Sequence, residues 1–187
     1  AIPDYETLML PLLSKLADGE TRVLKDVMAE LANSFELTPD EKAQLLPSGG
    51  TLTFASRVGW AKTYLKKAGL VHQPKRGLVQ ITGQGQAALA QRPVKIDVKF
   101  LEQFAAFLEF RNSSRERPAT AVGHGVEPLS SDLTPDEVID AAYQRSVLAL
   151  ADEVLERVKA CSSIYFERLV VQLLIKMGYG GSREEAG

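Results

Sequence analysis

The hydrophobic pattern over residues 51–82 predicts a helix that runs directly into a β-hairpin. Apolar residues recur every three or four positions, which places them on one face of a helix: Phe54, Val58, Ala61, Leu65 and Ala68. Gly69 follows the last of them, where a left-handed residue ends many helices. Two short apolar runs, 70–74 and 78–81, then flank a turn that contains Gly77, as paired strands do. We therefore expect an amphipathic helix followed by two antiparallel strands.

The sequence on either side of this segment, from the N-terminus to Pro93, is predicted to be mostly helical. The apolar stripes of the first two helices are Tyr5, Leu8, Met9, Leu12, Leu13 and Leu16, then Leu24, Val27, Met28, Leu31 and Phe35. Residues 20–23 are predicted to form a short edge strand. A third helix begins at Thr38, where Thr-Pro-Asp-Glu supplies an N-cap and a capping box. Thr82 caps a last short helix.

Residues 1–93 are therefore predicted to be mostly α with a small β-hairpin. Short helices that lead into a further helix and a hairpin are the outline of a winged helix-turn-helix domain. In such domains a helix enters the major groove of DNA and the hairpin touches the flanking backbone.

Beyond Pro93 the pattern predicts a helix and then a linker. Asp97 caps a helix whose apolar residues, up to Phe110, cover more than one face. Such a helix needs cover from the first domain or from a second subunit, so a homodimer stays an alternative. Residues 111–132 are rich in Ser, Pro, Gly and charge, which is typical of a flexible linker.

The last part of the chain is predicted to be helical. A second Thr-Pro-Asp-Glu, beginning at Thr134, starts a long helix that ends near Cys161, which is expected to be buried. Ser162 or Ser163 caps a final amphipathic helix that ends before Gly178. The predicted organisation is a winged-helix domain (1–93), a helix with a linker (94–133) and a helical C-terminal segment (134–187).

Charge is segregated along the chain. Nine lysines and arginines lie between Lys42 and Lys95, and this stretch contains no Asp or Glu. The blocks on both sides are net acidic, so the whole chain carries a formal charge of −2. A basic stretch of this kind favours a polyanionic partner. The alternative is a solvated lysine face without a ligand.

Composition excludes several other classes. No apolar run approaches the roughly 20 residues that span a bilayer, and the N-terminus lacks the basic start of a secretion signal. One cysteine excludes an internal disulfide framework. Two scattered histidines and that cysteine do not make a four-ligand zinc site. The expected compartment is the cytoplasm.

The candidate DNA-binding residues lie on the basic helix and in the hairpin turn: Ser56, Arg57, Lys62, Thr63, Lys66, Lys75 and Arg76. Ser56 and Arg57, near the helix start, are expected nearest the base edges. The three candidates in the next turns are expected on backbone phosphates, and the last two are expected to make the hairpin contacts. No residue is assigned a catalytic or metal-binding role.

The chain resembles the Mrr-type restriction endonucleases, enzymes that cut foreign, modified DNA. The matching sequence segments occur in the same order as in the family: PDYE (3–6), MLPLL (9–13), LLPSG (45–49), RVGWA (57–61), YLKKAGL (64–70), FERLV (166–170) and MGYGG (177–181). The first five resemble the family's N-terminal domain. The last two resemble the first helix of its catalytic domain.

The resemblance implies a PD-D/E-x-K nuclease domain, in which an Asp and a Glu/Gln-x-Lys pair on a hairpin bind magnesium that activates water. This sequence stops at Gly187, after the first helix of that domain. Glu184 and Glu185 are followed by no strand and no lysine. Glu167 matches a helix acid that lies near the metal site in some relatives, but one carboxylate cannot hold a metal. The chain is therefore expected not to cleave DNA, with magnesium expected only for a complete nuclease domain.

Two readings stay open. In the first, the chain is the targeting module of a restriction endonuclease that acts on methylated foreign DNA. In the second, it is a winged-helix transcription regulator or a protein-interaction adaptor. The expected partner in the first reading is double-stranded DNA.

Overall fold

The computed structural model of the chain describes residues 1–115 and 133–179, and residues 113–115 are described by their backbone alone. The elements in chain order are α1 (Tyr5–Lys15), β1 (Arg22–Val23), α2 (Leu24–Ser34), α3 (Pro39–Ala43), α4 (Thr53–Lys67), β2 (Val71–His72), β3 (Leu78–Ile81), α5 (Gly83–Ala90), α6 (Val98–Leu101), α7 (Ala105–Arg115), α8 (Pro135–Ala160) and α9 (Ser163–Lys176). Two compact units divide the chain, 1–141 and 142–187.

The described residues are mostly helical with one small antiparallel sheet, which confirms the predicted fold class. β3 is the central strand, and β1 and β2 pair with it on either side. The hairpin predicted after the basic helix is present, with Val71 opposite Ile81. The predicted edge strand is also present, with Arg22 opposite Val79.

The core of the first unit forms where α1 packs on α4. The predicted stripe of α1 is buried, and Leu8, Met9 and Leu12 are fully so. The predicted stripe of α4 is buried against it, with Val58 and Leu65 fully inaccessible. Each helix has a single continuous apolar face, and packing the two helices against each other buries both faces.

Aromatic rings extend this core from α1 through α4 to α7. The Tyr64 ring lies 5.4 Å from the ring of Tyr5 and 5.7 Å from the ring of Phe107, between centroids. Phe107 is fully buried. Burial raises the pKa of the Tyr64 hydroxyl because the charged phenolate would lose its hydration.

Both Thr-Pro-Asp-Glu sequences form the predicted capping boxes. Thr38 Oγ1 accepts the Glu41 amide at 3.3 Å, and Glu41 Oε2 accepts the Thr38 amide at 2.9 Å. At the start of α8 the corresponding distances for Thr134 and Glu137 are 3.2 Å and 2.8 Å. The side chain of Thr82 caps α5 as predicted.

The prediction of a single helix after Asp97 is wrong, because the chain turns between α6 and α7. On one straight helix Leu101 and Phe107 would face different sides, since six positions correspond to about 240° of rotation. The turn at residues 102–104 lets both side chains enter the core, and both are fully buried. Tertiary burial therefore outweighs the continuous helical pattern.

The predicted linker begins too early, because residues 111–115 continue α7. The rest of that linker, 116–132, lies outside the described residues, as do Glu184 and Glu185. The domain limits predicted at residues 93 and 133, and the homodimer, stay predictions.

The helices predicted in the second unit are present, but their apolar faces are not buried. Phe166, Leu173 and Met177 on α9 are each about half exposed or more. Cys161, predicted to be buried, is partly exposed, and its thiol donates to the Val158 carbonyl at 2.9 Å.

Gly85 on α5 packs closely against Leu70 and Ile81, and it provides a test of the packing. A Cβ at this position would lie well inside van der Waals contact of the Leu70 carbonyl oxygen and 2.7 Å from Ile81 Cγ1. We predict that Gly85→Ala lowers the free energy of unfolding by about 2 kcal/mol or more, since overpacking strains the backbone.

Gly83→Ala, in the first turn of the same helix, is the matched control. No atom lies within 4 Å of the Cβ it would add, so we expect the stability to be unchanged or raised by about 1 kcal/mol or less. Urea unfolding followed by the fluorescence of Trp60 measures both variants. Equal midpoints for the two proteins would contradict the described packing.

Candidate nucleic-acid interface

Three of the predicted DNA contacts lie on α4 outside its buried stripe. Lys66 lies four positions after Lys62, and Thr63 lies four positions after Gly59, so each of these pairs lies along one side of the helix. Lys66 is exposed, and Lys62 and Thr63 are partly exposed. Nothing lies within 4 Å of the position that a Cβ on Gly59 would take. This part of α4 is therefore open to a ligand.

The two lysines of this part of α4 influence each other. The pKa of Lys62 is lowered, first because burial removes water from its ammonium group and then because the Lys66 ammonium repels it. Both effects disfavour the charged form of Lys62. An anion placed beside these two groups would favour the charged form of Lys62.

The hairpin turn lies beside the end of this part of α4. Lys66 Nζ donates to Gln73 Oε1 at 3.4 Å, which connects α4 with the turn. Lys75 and Arg76 follow in the turn and are exposed. Gly77, with a φ of 82°, closes the turn, and its carbonyl accepts the backbone N–H of Leu24 at 2.8 Å. The turn is thus held both by α4 and by the first residue of α2.

Ser56 and Arg57 have a different environment from the other five candidates. Ser56 is 7% exposed, and its hydroxyl donates to Asp136 Oδ2 at 3.0 Å. The indole N–H of Trp60 donates to the same oxygen at 2.9 Å. The N-terminal half of α4 is therefore covered by the first turn of α8.

Arg57 uses all three of its guanidinium nitrogens within the first unit. Its Nε and Nη2 donate to Glu137 Oε1 at 3.0 and 2.7 Å. Its Nη1 donates to the backbone carbonyls of Ile2 and Pro3 at 2.8 and 3.2 Å. The Arg57 and Glu137 side chains are 16% and 10% exposed. In this structure Arg57 connects the N-terminus, α4 and α8.

The structure thus divides the predicted site into two groups. The open group comprises Lys62, Thr63, Lys66, Lys75 and Arg76. The covered group comprises Ser56 and Arg57, together with Trp60, which the sequence analysis did not select.

Sequence reasoning also missed the acidic residues that cover this group. It interpreted the second Thr-Pro-Asp-Glu only as a helix start, although Asp136 and Glu137 also bind α4. Their partners are about 80 positions away in the sequence. The available signal was charge segregation, because the acidic residues outside the acid-free stretch are the only ones in the chain that can pair with its cations.

Residues 1–115 and 133–179 contain no group of three His, Cys, Asp or Glu side chains arranged to hold a metal ion. The described residues therefore do not fit the magnesium site that the family resemblance implies, and no metal chemistry is assigned to them. Glu167 lies on the exposed surface of α9. Among the described helices, none is both long and apolar enough to cross a membrane.

Comparison with known proteins identifies the class of this chain. Residues 5–91 match the family described as the Mrr N-terminal domain. These residues include α1 to α5 and the sheet, and thus every candidate DNA contact. The chain therefore carries an Mrr N-terminal domain. No solved structure matches the chain.

A relative extends the match beyond this domain. Over 189 residues the chain is 31% identical to a protein described as the type IV methyl-directed restriction enzyme EcoKMrr of Escherichia coli strain K12. The alignment covers 98% of this chain and 62% of that protein. These findings confirm the resemblance to the Mrr-type restriction endonucleases that was inferred from the sequence. The chain is thereby related to a component of a restriction system.

Proposed function

We propose that this chain is the DNA-binding, targeting part of a restriction system that acts on modified foreign DNA in the cytoplasm. In this proposal residues 1–93 are a winged-helix domain, α4 is the helix that enters the major groove, and the β2–β3 hairpin is the wing. The observation that carries the proposal is the position of the open group, which extends from α4 to the exposed turn of the adjoining hairpin.

The charges of this region fit a duplex backbone. Lys62 and Lys66 repel each other across one helix face, and Lys66 reaches the hairpin turn that carries Lys75 and Arg76. Acidic side chains from other segments bind Arg57 and Lys95, and neither belongs to the open group. Among the described residues, no ion pair involves a cation of the open group. Phosphate groups are suitable counter-charges for such a surface.

The proposal that the ligand is modified DNA is based on the description of the Escherichia coli relative. That protein is described as methyl-directed, and this chain aligns with it over nearly its whole length. We therefore propose a methylated duplex as the preferred ligand, with the base contacts made from the start of α4.

The proposal assigns no cleavage to this chain. Its described residues supply no cluster of three metal ligands. We predict that supercoiled plasmid stays intact when it is incubated with the chain and magnesium ions. Nicking that persists after further purification and disappears with chelator would contradict this assignment.

The affinity for DNA is predicted to fall steeply with added salt. Each phosphate neutralised contributes about −0.9 to the slope of log affinity against log salt concentration. Lys66→Ala, Lys75→Ala and Arg76→Ala should each weaken binding and make the slope about one unit shallower. Fluorescence anisotropy with a labelled short duplex, in methylated and unmethylated forms, measures both quantities.

Lys176→Ala is the matched control, because it removes the same charge from an exposed position on α9. Its affinity and slope should equal those of the wild-type chain. An affinity indifferent to salt, or equal losses for Lys176→Ala and Lys66→Ala, would refute the proposed surface.

A further inference from the structure

The start of α8 satisfies a row of hydrogen-bond donors on α4 and on the turn before it. Asp136 accepts from the Ser56 hydroxyl and the Trp60 indole N–H. Glu137 accepts from the Arg57 guanidinium. One turn further along α8, Asp140 Oδ2 accepts the backbone N–H of Ser48 at 2.9 Å. Three carboxylates on one short segment therefore occupy this surface.

Residues 134–140, which we call the acidic segment, are held in place by their own contacts. The two carboxylate oxygens of Glu137 have different partners: Oε2 completes the capping box with Thr134, and Oε1 accepts hydrogen bonds from Arg57. Thr134 is fully buried, and Asp140 is 6% exposed. The acidic segment belongs to the same compact unit as α4.

The donors that the acidic segment occupies are of the kinds that bind phosphate oxygens. A hydroxyl, a guanidinium group and a backbone N–H are the usual protein partners of DNA phosphates. A carboxylate, like a phosphate group of the DNA backbone, carries one negative charge that is shared between two acceptor oxygens. The acidic segment therefore resembles, in its chemistry, a short stretch of DNA backbone.

We propose that the acidic segment is an internal mimic of the DNA backbone, which competes with duplex DNA for the N-terminal half of α4. This inference rests on the proposed DNA-binding function and adds a regulatory contact to it. The open group binds DNA while the acidic segment stays in place. Ser56, Arg57 and Trp60 reach DNA only after the acidic segment leaves, so wild-type affinity reflects the fraction of molecules in the released form.

The test neutralises the acidic segment without removing its hydrogen-bond acceptors. In the Asp136→Asn/Glu137→Gln variant, Asn keeps an oxygen for Ser56 and Trp60, and Gln can still complete the capping box. The matched control is Asp152→Asn/Glu153→Gln, the same dipeptide changed in the same way at an exposed position of α8. Both variants change the net charge equally.

We expect the variant in the acidic segment to bind a short duplex about tenfold more tightly than the wild type. Because the open group also binds DNA in the closed form, this gain corresponds to a released fraction of at most about one tenth in the wild type. The control variant should bind as the wild type does. In the released background, Arg57→Ala should weaken binding, whereas in the wild type the same change should have a much smaller effect. This difference separates competition from a general gain of positive charge.

Asp140→Asn keeps the inference testable if the double variant does not fold. It removes one charge, keeps an amide oxygen for the Ser48 N–H, and should give a smaller gain in affinity. Urea unfolding followed by Trp60 fluorescence verifies the fold of each protein.

The outcomes distinguish this inference from the proposed function. If the neutralised variants bind no more tightly than the wild type, while Lys66→Ala still weakens binding, the competition is refuted and DNA binding stands. Equal gains in the acidic-segment and control variants would also refute it. If neither the wild type nor a folded, neutralised variant binds duplex DNA, both the inference and the proposed function are refuted.

Discussion

Burial of one face of α4 against α1 determines which side chains the rest of the molecule can use. With Val58 and Leu65 fixed in the core, the helix has no freedom to rotate, since rotation would expose these side chains to water at roughly 25 cal/mol per Å². The sides of the helix outside the core then carry Lys62, Thr63 and Lys66. The hairpin follows the helix after Gly69, whose φ of 76° turns the chain back at once, so the turn with Lys75 and Arg76 lies near the helix end.

The outward side of α4 is shared between two uses. Its first half is covered by the acidic start of α8, which binds Ser56, Arg57 and Trp60. Its second half is open and carries repelling lysines. A protein that only required stability would gain little from this division, because partly buried ion pairs often recover no more than the cost of their desolvation. Under the proposed function both halves of this side bind nucleic acid, since each carries donors that match phosphate oxygens.

Much of the fold could be predicted from local patterns, because helical stripes, capping boxes and the hairpin depend on residues close together in the sequence. The capping box at Thr38 and the hairpin after Gly69 are examples. The break between α6 and α7 could not, because it depends on the core that Leu101 and Phe107 must both reach. The burial of Ser56 likewise depends on Asp136, which is distant in sequence. Local spacing identifies an exposed helix face but not the segment that covers part of it.

Chemical-shift mapping of the backbone amides during titration with a short duplex tests the central claim most directly. The account predicts that the largest changes fall in residues 62–66 of α4 and residues 73–77 of the hairpin turn, with accompanying changes at residues 134–140. Changes concentrated on α9 or on α2, with α4 and the hairpin turn unaffected, would contradict it.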